Sequence, residues 1–296
     1  MVRLSVQYGN CIFSSAAYCI YGAMLCDKLG DINSGYRFGQ LGIQLLYQMN
    51  AYYLKAKVYM IYNTMIKHFK EPVSETLPNL IQGIQSGLET GDLVYSGYDA
   101  FFFTQNLFFC NHPLDVVAKN AHKYIELTGN NSKSKSHHLG LKILLQTVLN
   151  LQHLSKNKLL IIGDIFTEND ISSTLFENST MMSHLNLCKT NISYLFGDYD
   201  AAISSSQQLK EYQESNPAFF MYLVNNFYYS LSLLANYNNK SFPERKKYLN
   251  QVQINQKRMK LWAHHAPCNF LHKYDLVEAE KARILGKNDL VIDLYD

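Results

Sequence analysis

Apolar residues recur every three or four positions through most of this chain, and alternating runs are scarce, so the pattern predicts helices and no central sheet. In SGYRFGQLGIQLLYQM, residues Tyr36, Phe38, Leu41, Ile43, Leu45, Leu46 and Met49 fall mostly on one broad face. The same reading predicts helices over about 12–29, 33–49, 51–69, 74–89, 92–110, 114–127, 135–154, 168–176, 180–196, 200–213, 218–237, 242–264 and 267–285, with one more from about 289. Pro113 and Pro267 suit a first helical turn, and Asp31, Ser74, Asn111 and Ser241 are placed to cap. TGNNSKSKS, residues 128–136, reads as a flexible loop. The uncharged run PAFFMYLVNNFYYSLSLLANYNN has the length to cross a bilayer, but Asn225 and Asn226 stand at its centre and tyrosines run through it. We expect a buried central helix there and no membrane insertion.

The glycines reveal a recurring turn. GDINSG begins at Gly30, GDLVYSG at Gly91, GDYDAAI at Gly197 and GKNDLVIDLY at Gly286, each after one helical block and before the next. Gly197-Asp-Tyr-Asp-Ala-Ala202 resembles the turn of a tetratricopeptide repeat (TPR), where Gly ends the first helix and a small residue five positions on packs the second against it. The four turns are 61, 106 and 89 residues apart, so diverged helix pairs must fill the intervals. The expected fold is all-α, a TPR-like αα-hairpin solenoid, with residues 1–296 forming a single helical-repeat region.

Composition narrows the function. With 296 residues, 47% of them apolar, a large core can form, and a net charge of +3 from 27 basic and 24 acidic residues leaves no overall electrostatic footprint for nucleic acid. Cys11, Cys19, Cys26, Cys110, Cys188 and Cys268 contain no C-x-x-C pair and read as reduced thiols of a cytoplasmic protein. A phosphate loop, a kinase catalytic loop, D-F-G, G-x-S-x-G and H-E-x-x-H are all missing from the sequence. LLIIGD, ending at Asp164, resembles a magnesium-binding strand end but has no phosphate loop upstream, and a buried helix or short linker is the expectation. His137 and His138, beside the polar loop, are expected to face solvent.

The densest chemistry is KLWAHHAPCNFLHKY, with Trp262, His264, His265, Pro267, Cys268 and His272. His265 and His272 are seven residues apart and Pro267 starts a new helix between them, a poor spacing for zinc. We therefore expect hydrogen-bonded histidines over a packed Trp262, with no metal and no cofactor. In the helix that follows, Leu271, Tyr274, Val277, Glu278 and Ala282 should pack, and Glu280, Lys281 and Arg283 should meet water. A metal-dependent hydrolase using His264, His265 and His272 is the alternative. The tyrosines Tyr52, Tyr53, Tyr59, Tyr62, Tyr95 and Tyr98 are expected mostly between helices, with a peptide-binding face as the other reading.

The block from Trp262 to Tyr274, continued by VEAEKARILGK, resembles a signature of very large cyanobacterial signalling proteins. So do AAYCIYGAMLCDKLGDINSGYRFGQLG (16–42), LKAKVYMIYNTMIKHFKEPVSETLP (54–78) and GLETGDLVYSGYDAF (87–101). That family joins a serine/threonine kinase, an AAA-type ATPase, a long helical region, a GAF sensor and a histidine kinase. The resemblance implies the non-catalytic helical region, with the other domains of the same protein, or their split-gene products, as partners. The short unit after Gly286, with Leu290, Val291, Ile292, Leu294 and Tyr295 on its packing face, reads as cut from a longer repeat array, so a fragment of a larger protein is expected.

Overall fold

Helix-forming periodicity is realised through most of the described residues. The structure, a computed structural model, describes residues 1–129, 135–155, 157–166, 178–213, 218–287 and 294. Thirteen α-helices occur among the described residues: α1 (Val2–Tyr8), α2 (Ser14–Lys28), α3 (Ile32–Gln48), α4 (Lys55–Met65), α5 (Leu77–Thr90), α6 (Leu93–Phe109), α7 (Leu114–Gly129), α8 (Lys135–Leu151), α9 (Ser179–Leu195), α10 (Tyr199–Gln213), α11 (Phe220–Ala235), α12 (Phe242–His265) and α13 (Pro267–Ile284). No strand occurs among the described residues. The helix expected at 168–176 lies outside them, as do positions 130–134 of the expected loop and, Leu294 aside, the packing face after residue 287.

Several local expectations are corrected. The single helix over 51–69 is instead α4 between two short 3-10 turns, Tyr52–Leu54 and Lys67–Phe69. Ser74 lies inside a third 3-10 turn, Val73–Thr76, and Asn111 takes a left-handed φ of 57° after α6, so neither caps. Asp31 does cap, and Ser241 forms a capping box with Glu244. The stretch ending at Asp164 is an irregular linker pinned to α8 by Asn150, whose Nδ2 donates to the Leu160 carbonyl at 2.6 Å.

The glycine turns share one geometry. Gly30, Gly91 and Gly197 have φ of 66°, 78° and 83°, a region open to glycine at little cost. In each, the next residue is an aspartate whose carboxylate accepts from the backbone N–H three positions on: Asp31 from Ser34, Asp92 from Tyr95, Asp198 from Ala201. The residue five beyond each glycine is small and buried: Gly35, Ser96 and Ala202. There the two helices of the pair approach closely. A Cβ on Gly35 would lie 2.4 Å from Cys26 Sγ and 2.6 Å from the Gly22 carbonyl oxygen. On α3 it is thus Gly35, Gly39 and Gly42 that are buried deepest beside Leu45 and Leu46, while Phe38 and Leu41 stay half-buried.

Consecutive helices pack in pairs, α2 on α3, α5 on α6, α7 on α8, α9 on α10 and α12 on α13. Alternate helices form a second layer of contacts, α2–α4–α6–α8 and α9–α11–α13, joined where α8 meets α9. The end of this row returns to its start. Phe220, opening α11, lies 5.4 Å from the His68 ring, 5.8 Å from Phe109 and 5.9 Å from Phe270, and Phe219 stacks on Phe102 at 4.9 Å. One apolar cluster therefore runs from α2 through α6 and α11 to α13. Every residue from Phe220 to Asn226 is buried, so the uncharged run is a central helix. No helix among the described residues is long and apolar enough to cross a membrane.

A methyl group at Gly35 has nowhere to go because backbone blocks it. Gly35→Ala is expected to destabilise by about 1–3 kcal/mol, although alanine is the better helix former. The urea midpoint of the variant against the parent checks this, and an unchanged or raised midpoint would contradict the close packing of α2 on α3.

Candidate functional site

The block singled out by its histidines spans the end of α12 and the start of α13. Ala266 and Pro267 break the helix between them: Pro267 has no N–H to leave unsatisfied and opens α13 at its first position. Trp262 is buried, with its ring 5.9 Å from Phe270. His264 is exposed and meets His265 edge to face at 5.0 Å. His265 Nδ1 accepts from Lys70 Nζ at 3.1 Å, and His272 Nε2 accepts from Lys273 Nζ at 2.8 Å. Burial and the adjacent lysines hold both rings below the usual imidazole range. Each thus has an ammonium at one ring nitrogen. No group of three His, Cys, Asp or Glu among the described residues is arranged to hold a metal ion. Gly30, Gly91 and Gly197 sit at separate interhelical turns, Gly286 follows α13, and the four contribute no shared site.

The residue that organises this block is Asn269. Its Nδ2 donates to the carbonyls of His68 and Glu71, each at 2.8 Å, and its Oδ1 accepts from the Val73 N–H at 3.1 Å. These backbone groups belong to a turn between 3-10 elements, where no helix or sheet supplies partners. The same turn is held from other sides. Glu71 accepts from the Tyr36 hydroxyl of α3 at 2.5 Å, Lys67 Nζ donates to the Glu75 carbonyl at 2.7 Å, and Asn106 of α6 donates to Thr76 Oγ1 at 2.9 Å. On α13, Val277 and Ala282 are buried as expected and Tyr274 and Glu278 partly so, but Leu271 is exposed and Phe270 is wholly buried in its place.

Other ionisable groups lie deeper. His68 is buried against Phe69 at 4.3 Å, and burial pushes its pKa down to about 3. His184 is also held to about 3 by burial; Gln105 Nε2 lies 2.8 Å from its Nδ1, and Cys188 Sγ is 3.7 Å from its Nε2. Burial raises the Cys188 thiol to about 12, so the pair is neutral and neither group is a thiolate nor an imidazolium. Asp99 of α6 faces Gly83 of α5 with both carboxyl oxygens buried and unpartnered, and burial raises its pKa well above the carboxylate norm. His137, expected in solvent, is buried with its ring 3.6 Å from Tyr98. Tyr59 and Tyr62 are buried, Tyr95 and Tyr98 half-buried, and Tyr52 and Tyr53 exposed. Sequence reasoning passed over Asn269, His68, His184 and Asp99, because the burial and partners that single them out come from distant parts of the chain.

No protein-family model matches the chain, and no curated protein matches it.

Two measurements follow from this geometry. Asn269→Ala would leave two carbonyls and an N–H buried without partners, and should lower the unfolding free energy by about 2–4 kcal/mol. His264→Ala, at an exposed position, should change it by less than about 0.5 kcal/mol. Urea denaturation of both variants decides whether the block acts through its asparagine or its histidine.

The buried groups also set the acid response. His68 and His184 bind no proton in the fold near pH 5 but do so when unfolded, so each lowers stability as pH falls from about 6.5 toward about 3. Asp99 works the opposite way: its folded pKa is raised, so its carboxyl stays protonated in the fold, and stability falls as pH rises above about 4, its unfolded value. Asp99→Asn removes that opposing slope. Between pH 4 and 6 its stability should fall toward acid more steeply than the parent's. Denaturant melts across that range would show parallel curves if Asp99 were ionised in the fold.

Proposed function

We propose that this chain is a non-catalytic scaffold built from TPR-like helix pairs, serving within a larger signalling protein of the kind it resembles. In that role it couples a kinase and AAA-type ATPase part to a GAF and histidine-kinase part. Its partners are those other domains or their split-gene products. The observation that carries the reading is how the resemblance-bearing segments are used. The segments 54–78 and 262–274 meet at one turn, through Asn269, His265 and Lys70, and the hydrogen bonds that join the two segments end on backbone or on a lysine. A block with that many histidines that engages no nucleophile and no ligand set suits a mechanical joint better than a reaction centre.

Further support comes from the repeated turn of glycine, capping aspartate and small residue, a construction suited to stacked hairpins that transmit movement between their ends. The chemistry of phosphoryl transfer needs a phosphate cradle, a positioned base and metal-holding carboxylates. Asp164, the carboxylate nearest to that pattern in sequence, is exposed on the linker after α8.

The test is to mix the purified chain with the ATPase and GAF–histidine-kinase segments of such a protein and measure association by biolayer interferometry. Binding to at least one at about micromolar affinity is expected. The chain alone should neither release phosphate from ATP nor label itself. Failure to bind either segment, or turnover lost in Asp164→Ala, would overturn the reading.

A further inference from the structure

The helix that carries the histidine block also carries most of a local charge imbalance. Between Phe242 and His265, α12 holds Arg245, Lys246, Lys247, Lys257, Arg258 and Lys260 against one carboxylate, Glu244, which is committed to the capping box. In a chain with a net charge of only +3 this concentration is local. Spacing sorts α12 into two faces. Val252, Asn255, Gln256, Met259 and Trp262 are buried, whereas Lys246, Asn250, Gln253, Lys257, Lys260 and His264 follow one another at three- and four-residue steps and are all exposed. Part of this exposed stripe borders a groove of about 560 Å³ between α12 and α13.

The groove has a defined chemistry. Lys257 and Lys260 stand on its α12 side, and among the described residues neither has an ion-pair partner. On the α13 side, the carboxylate of Glu278 is already taken by Lys281 at 3.1 Å and Gln256 Nε2 at 3.0 Å, so it neutralises neither lysine. Ile254 adds an exposed apolar side chain, and Tyr274 a half-buried ring. Gln256, 4% exposed, also lines the groove. Its amide nitrogen is engaged by Glu278 and the Tyr274 carbonyl, but its Oε1 has no hydrogen-bond partner. A buried acceptor without a donor is costly, and a backbone N–H from a bound chain would satisfy it.

We propose that the α12–α13 groove is a docking site for an acidic peptide segment with interspersed aliphatic residues. Its carboxylates meet Lys257 and Lys260, an aliphatic side chain covers Ile254, and a backbone N–H reaches Gln256. Peptide is favoured over nucleic acid because the free cations here are lysines, point charges that do not fork onto phosphates, and Tyr274 is the single aromatic ring in the groove on which a base could stack. The inference rests on the groove alone. It does not require the coupling role proposed above, and its test uses a synthetic peptide in place of the flanking domains.

Fluorescence anisotropy of a labelled peptide of repeating Glu-Glu-Leu, titrated with the full chain, is the experiment. Binding at about 10–100 µM in low salt is expected, weakening as salt rises. Lys257→Glu/Lys260→Glu should reduce affinity about tenfold or more, with the helical circular dichroism unchanged because both residues are exposed. Lys119→Glu/Lys123→Glu on α7, which makes the same change in net charge, should leave it near the parent value. Equal losses in the two double variants would reduce the effect to overall charge and overturn the proposal. So would an absence of binding at about 1 mM, or tighter binding of a single-stranded RNA of matched charge.

Discussion

Three hydrogen bonds from one side chain hold together two segments of this fold that lie far apart in sequence. Asn269 reaches the backbone of residues 68–73 from a helix nearly two hundred positions later, and a turn there could not otherwise be buried, because its carbonyls and N–H would face apolar neighbours without partners. An amide on a short stem offers two donors and an acceptor in one plane, which matches the requirement; a carboxylate or an aliphatic group does not. The adjacent Phe270 seats α13 against Phe220 and Trp262, and that contact closes the last side of α11. A helix with seven consecutive buried residues is stable only when it is surrounded, so the joint at residues 68–73 and the burial of α11 support each other.

This closure has chemical consequences. Residue types associated with catalysis are plentiful, but the ones in the interior are held in their uncharged forms: His68 and His184 as imidazoles, Cys19 and Cys188 as thiols, Asp99 as an acid. Desolvation drives each of these shifts. The near-surface histidines are constrained differently, by lysines at hydrogen-bonding distance.

Helix α12 joins the two aspects of the molecule. Its inner face places Trp262 and the break at Pro267, and so aims α13 at the joint; its outer face displays unneutralised lysines beside a groove. Because Gln256 belongs to the buried face while lining the groove, a ligand seated there would contact the same packing layer that positions Asn269.

The helices, their order and several caps were legible in the chain itself, because apolar period, glycine and aspartate act within a few residues: the turns at Gly30, Gly91 and Gly197 are local structures that need no distant partner. The uncharged run around Asn225 was likewise readable as a buried helix from its central amides. Which polar residue in Trp262–Tyr274 mattered was not legible. The histidines stand out by type, yet Asn269 is decisive only because the fold brings an unpaired turn to it from residues 68–73. The same holds for Gly35 and Asp99, whose roles depend on how closely a second helix approaches, and for the return of α11 and α13 onto the first helices. Period and propensity act over one or two turns of helix, whereas hydrogen-bond satisfaction and close packing depend on what arrives from elsewhere, and that was decided by the tertiary structure.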